Sequence, residues 1–173
     1  MIAEPISYTD TVKDWLAHSG HYLDNPPPGC LFAIGVFRSA PGLFGDDVST
    51  GPLAGLCLVG RPVARMLPQD GTVGEITRFV LEPGLPHGTA SIVLRRTADV
   101  GRARGMRELI AYHDRTRHTG CIYRKAGFRK DGTTTPSTVG WGSRSGRKSS
   151  EYEATGKRRW RMVLDGGGAG RTY

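Results

Sequence analysis

One stretch, Ala111 to Phe128, gathers most of the side chains that could do chemistry. It reads Ala-Tyr-His-Asp-Arg-Thr-Arg-His-Thr-Gly-Cys-Ile-Tyr-Arg-Lys-Ala-Gly-Phe. Tyr112, His113, Asp114, His118, Cys121 and Tyr123 are the residue types of an acid/base or nucleophilic site. Arg115, Arg117, Arg124 and Lys125 surround them with positive charge. Asp114 and Tyr112 are two apart in an apolar, strand-like run, so they share a face. Asp114 could accept a proton from an attacking amine or orient His118; an ordinary turn aspartate is the plain alternative. His118 could touch phosphate or relay protons, and a plain loop histidine is the alternative. Cys121 would be a nucleophile only with a depressed pKa; packing explains it as well. His113 reads as a packing residue.

These residues must be carried by elements, and the chain suggests which. A short helix is expected over 9–17, with Thr9 or Asp10 as N-cap and Val12, Trp15 and Leu16 on its apolar side. A hairpin follows, from strands over 31–37 and 53–59. A strand is expected over 74–81, then a helix over 89–102 that buries Val93, Leu94, Thr97 and Ala98. Next come a strand over 107–114, a helix over 119–126 stopped by Gly127, and a final strand over 157–164. The strand–helix–strand unit at the centre implies parallel strands. Ligands then gather at their carboxyl ends, here 81–88 and 114–119. The fold class is α/β of the α+β kind: a central mixed, twisted sheet flanked by helices. It forms one domain over 1–164, with a loose tail over 165–173.

Composition narrows the partner. The 173 residues carry a formal charge of +8. Between Arg115 and Arg161, thirteen Lys and Arg face three acids, a surplus of ten that exceeds the whole chain's charge. One end of the molecule is therefore the anion-facing end. Three cysteines (Cys30, Cys57, Cys121) without paired spacing argue for a reducing compartment. No zinc-site spacing, signal segment or bilayer-length apolar run is present, so a cytoplasmic protein without a metal motif is expected.

The element order and the Ile-Tyr-Arg-Lys-Ala-Gly-Phe ending resemble the GNAT acyltransferase superfamily, over roughly residues 31–128. There a Tyr-x-x-x-Gly-Phe helix follows a strand splayed from its neighbour, which puts Tyr123 where a phenol protonates a leaving thiolate. A narrower resemblance is to the Mom family of phage DNA-modification proteins. His21-Tyr22, Glu75-x-x-Arg78, Ser91 and Ala-Tyr-x-Asp-x-x-x-His-x-Gly-x-x-Tyr carry it. It implies modification of the adenine N6 amine in double-stranded DNA, with Asp114, Tyr123, His118, His21, Tyr22, Arg78 and Glu75 as catalytic candidates.

Glu75 and Arg78 can share a face only if their strand carries a bulge; a structural ion pair is the alternative. The segment from Trp141 to Trp160 mixes cations with aromatics and resembles a tail of phage and mobile-element GNAT-like proteins. With the 115–117 loop it supplies the DNA-contact candidates Arg115, Arg117, Arg144, Arg147, Lys148, Lys157, Arg158 and Arg159.

The donor is less determined. GNATs hold coenzyme A pyrophosphate on a Gln/Arg-x-x-Gly-x-Gly/Ala loop, and Leu85-Pro86-His87-Gly88-Thr89-Ala90-Ser91 departs from it. The helix start at His87, Gly88, Thr89 and Ser91 still offers N–H groups to a phosphate of acetyl-CoA or a related acyl-CoA, although a helix cap explains Ser91 equally. Two rival functions stand beside the DNA-modifying reading: an acetyl-CoA-dependent N-acetyltransferase of a protein or small amine, and a non-catalytic DNA-binding protein.

Overall fold

The structure is a computed structural model that describes residues 1–21, 25–40, 49–134 and 156–164. Its elements, in chain order, are β1 (Ile2–Ile6), α1 (Asp10–His18), β2 (Phe32–Ala40), β3 (Ser49–Gly60), β4 (Val73–Leu81), α2 (Thr89–Ala103), β5 (Glu108–Asp114), α3 (Cys121–Ala126), β6 (Arg129–Thr133) and β7 (Lys157–Val163). The strands make one sheet in the order β1-β2-β3-β4-β5-β7-β6. Every pairing is antiparallel except β4 with β5. The mixed sheet with flanking helices is the expected class, and the parallel pair sits at its centre, joined through α2.

Two strands were not expected. β1 contains Pro5, which a sheet tolerates because β1 is an edge. β6 is Arg-Lys-Asp-Gly-Thr, a charged strand on the opposite edge, where charge discourages further pairing. The final strand does not take the edge: β7 inserts between β5 and β6. Helix α3 begins at Cys121, later than residue 119, because Gly120 turns the chain with φ +72° just before it.

Two apolar layers hold the sheet. On one face Val93, Leu94 and Ala98 of α2 and Tyr123 and Ala126 of α3 pack on Ile34, Val36, Cys57, Ile76, Leu109, Ala111, Trp160 and Met162. On the other, Leu16 of α1 meets Ala33, Leu56 and Leu58. Helix α2 carries this packing because Val93, Leu94, Thr97, Ala98 and Gly101 recur at helical spacing, and all are buried. No described helix is long and apolar enough to cross a membrane.

Candidate active site

β4 and β5 pair over only four residues, Val73–Ile76 against Glu108–Ala111. β4 then continues to Leu81 and β5 to Asp114 without each other. β5 keeps its other neighbour to the end, with Asp114 opposite Lys157. The sheet thus opens at its centre, and the backbone groups along that opening are available to a ligand.

A bulge shapes the β4 side. β3 and β4 slip by one residue between Leu58 opposite Arg78 and Val59 opposite Ile76, leaving Thr77 as the extra residue. The bulge puts Glu75 and Arg78 on the same face, the face of α1, as their spacing required. They do not pair with each other. Glu75 is buried, and one of its oxygens accepts the Val63 N–H at 2.9 Å. Arg78 donates to the Asn25 carbonyl at 2.9 Å and to the Thr77 carbonyl at 2.8 Å, tying the α1–β2 loop across this face. Burial pushes the Glu75 carboxyl up, against the opposing pull of the Val63 N–H and the Lys157 charge.

Sheet register places the other candidates. Tyr112 lies opposite Arg159 and Asp114 opposite Lys157, all on the face of Glu75. Asp114 is buried, and its Oδ1 accepts the Thr116 N–H at 2.8 Å and the Thr116 hydroxyl at 2.7 Å. The Arg117 guanidinium stands 3.8 Å from its other oxygen. Asp114 therefore builds the turn that ends β5. His118 is exposed on that turn, its N–H donating to the Asp114 carbonyl. His21 is half-buried beyond α1, its N–H donating to Ser19 Oγ. Tyr22, Arg144, Arg147, Lys148, Trp141 and the tail over 165–173 lie outside the described residues.

Tyr123 lies on the opposite face of the sheet from Asp114. Its buried ring stacks on Trp160 (centroids 5.7 Å apart) and on His113 (6.1 Å), with Phe128 edge-on at 5.7 Å. Cys121, two residues earlier, is exposed, and Cys57 is the buried cysteine, its thiol pushed up to about 12 by burial.

Among the β7 cations expected at phosphate, Arg159 has an acid partner within the sheet. Arg159 and Arg161 both hold Asp131 Oδ2, at 2.8 and 2.9 Å, and Arg161 reaches Glu108 at 3.3 Å. These guanidiniums neutralise acids on β5 and β6. Arg158 and Lys157 are half-buried. In the span 115–130, which contains no acid, six cations are exposed: Arg115, Arg117, Arg124, Lys125, Arg129 and Lys130.

At the end of β4 stands α2, fifteen residues long, with Gly88 as N-cap in the left-handed region (φ +89°) and no side-chain cap. Ser91 is not the cap: it is buried in the first turn, and its N–H donates to the Gly88 carbonyl. Thr89 turns its hydroxyl to the Pro86 carbonyl, and His87 is exposed. Gly88-Thr89-Ala90 satisfies the Gly-x-Ala half of the pyrophosphate loop; only Leu85, in place of Gln or Arg, departs. An uncapped helix start of this length, preceded by a left-handed glycine, fits an anionic phosphate. Among the described residues no three His, Cys, Asp or Glu side chains cluster as metal ligands.

Solved structures of known proteins share this fold. A GNAT-family acetyltransferase from Streptococcus pneumoniae superposes with a TM-score of 0.52 at 13% identity, over 77% of this chain and 66% of its own. The IAA acetyltransferase from Bacillus cereus gives 0.57 at 14%, over 94% and 99%. The ribosomal-protein-S18-alanine N-acetyltransferase from Escherichia coli gives 0.59 at 10%, over 99% and 97%. The fold is that of the GNAT acetyltransferases. No protein-family model matches the sequence, and no curated protein does. The GNAT fold is thus established through structure at identities of 10–14%.

Proposed function

We propose that this protein is an acyl-CoA-dependent N-acyltransferase that joins its two substrates through the opening between β4 and β5. The observation that carries the reading is the arrangement of groups about that opening: Glu75 on the α1 face, and Tyr123 with the uncapped start of α2 on the other. A bound acyl thioester would supply an activated acyl group. Gly88, Thr89 and Ala90 would hold its phosphates. The phenol of Tyr123 would keep a proton on the donor face. Glu75 would take the proton of an attacking amine on the acceptor face, at the oxygen that Val63 does not hold. Arg78, through Asn25, would fix the loop that walls the acceptor side. Structural neighbours whose names describe acetyl transfer to amines support this class.

A second reading concerns the acceptor. The six exposed cations over 115–130 favour an amine carried by a polyanion, and the resemblance to Mom-type proteins names it as adenine N6 in DNA. Such an enzyme must extrude the base or take it single-stranded. If those cations served binding alone, the chain would be a DNA-binding protein on this fold.

One set of measurements separates these readings. Calorimetry on the full chain is expected to detect acetyl-CoA binding, and a thiol-release assay to detect turnover with an amine panel. Absence of acetyl-CoA binding by folded protein would remove the acyltransferase reading. Nucleosides from DNA of expressing bacteria, examined by mass spectrometry, would show a new adenine species under the DNA reading. An unchanged profile beside turnover on free amines would leave the plain N-acyltransferase.

A further inference from the structure

His113 was expected only to pack, yet its surroundings are those of a functional group. It is 5% exposed, at the end of β5 on the face of α2 and α3. Its Nδ1 lies 2.6 Å from Trp160 Nε1. An indole N–H can only donate, so Nδ1 must accept, and the ring proton must sit on Nε2. Trp160 thereby fixes both tautomer and ring orientation. Gly120 closes the remaining space, since a Cβ there would lie 2.7 Å from both His113 Cε1 and Trp160 Cζ2.

The two ring nitrogens diverge. With Nδ1 held by Trp160, the Nε2–H points away from that indole nitrogen. At the level of His113, β5 has had no β4 partner since Ala111. Among the described residues, Trp160 is the one hydrogen-bond partner of the ring, which leaves the Nε2–H available to a ligand.

We propose that His113 is a substrate-contacting residue that donates its Nε2–H into the opening between β4 and β5, to the carbonyl oxygen of a bound acyl group. This rests on the acyltransferase reading and adds to it a residue that stabilises negative charge developing on that oxygen. A donor of this kind works best as neutral imidazole, which stays hydrogen-bonded without surrendering its proton. The surroundings favour the neutral form: burial first, then the charges of Arg158 on β7 and of His118 and Arg115 on the β5–α3 turn, lower its pKa against the opposing pull of Asp114. Tyr123 stacks on the same ring.

The test reads the ring directly. Two-bond proton–nitrogen NMR spectra of the full chain should show His113 as the Nε2–H tautomer, protonating below the ordinary histidine range as pH falls. Trp160→Phe should release that tautomer and raise the pH at which the ring protonates. Acetyl-CoA, which has the carbonyl, should move the Nε2 resonance more than CoA, which lacks it. Binding of acetyl-CoA by calorimetry with no difference between the two ligands at Nε2 would overturn the proposal and leave the acyltransferase reading intact. No binding at all would overturn both. In turnover, His113→Phe should lower kcat by about 10²–10³-fold, the usual loss of one such donor. His113→Gln, which keeps an N–H near the Nε2 position, should stay within about tenfold of the parent. Equal loss in both variants would assign His113 a packing role.

Discussion

Glu75→Gln is expected to reduce acyl transfer by about 10²–10⁴-fold, the range of a lost general base, without weakening the fold at neutral pH. Gln can still accept the Val63 N–H through its carbonyl oxygen, so the bond that holds the β3–β4 loop survives. What disappears is a carboxylate at the edge of the opening. Its pKa is raised, with burial as the main cause. The sign of the stability effect follows. A carboxyl whose folded pKa lies above its unfolded value binds its proton more tightly in the fold. Stability is then fully present below the unfolded pKa and falls as pH rises through the folded one. Urea denaturation from acid to neutral pH should therefore show the parent losing ground to Glu75→Gln as pH climbs. The activity profile should carry a matching acid limb, shifted upward, that the variant lacks. If the parent instead gains on the variant with rising pH, the Lys157 charge outweighs burial. Glu75 would then be an ion-pair residue rather than a base.

Much of this frame is legible in the sequence, and the parts that are not share a cause. Alternation along Glu-Leu-Ile-Ala-Tyr-His-Asp places Tyr112 and Asp114 on one face and His113 on the other. The Glu75-x-x-Arg78 spacing requires a bulge before the two can share a face, and the bulge is at Thr77. The Gly-x-Ala half of the phosphate loop is readable at Gly88 and Ala90.

The roles of Asp114, His113 and Arg159 are set by partners distant in sequence or by local hydrogen bonds that residue type does not announce. Asp114 looks reactive until Thr116 takes its Oδ1. His113 looks inert until β7, returning from 43 residues later in the register (Lys157 opposite Asp114), brings Trp160 to its Nδ1. Arg159 looks available to phosphate until β6 pairs with β7 and delivers Asp131. Local periodicity determines which face a side chain takes, whereas strand order determines what it meets there.

Gly120→Ala is expected to be the most destabilising single-methyl change near the site, at about 2–5 kcal/mol. Two effects combine. Gly120 sits at φ +72°, where an L side chain costs about 1–2 kcal/mol. Its new Cβ would also meet the rings of His113 and Trp160 at 2.7 Å, and overpacking of this kind costs about 1–3 kcal/mol more. Neither ring can retreat cheaply. Trp160 is 2% exposed and His113 5%, and the bond between them fixes their mutual angle.

Gly127→Ala separates the two effects. Gly127 has φ +100°, but a Cβ there would meet only Met162 Cε, at 3.5 Å, an ordinary contact. That variant should show the backbone cost alone, about 1–2 kcal/mol. The difference in melting temperature between the two variants then measures the ring clash, at about 2–4 °C per kcal/mol for a chain of this size. Two variants of equal stability would mean that the His113–Trp160 pair has room to move. A histidine free to move would not hold its Nε2–H toward the opening. Gly120 and His113 are therefore one constraint seen twice: the glycine is required because the ring must not shift.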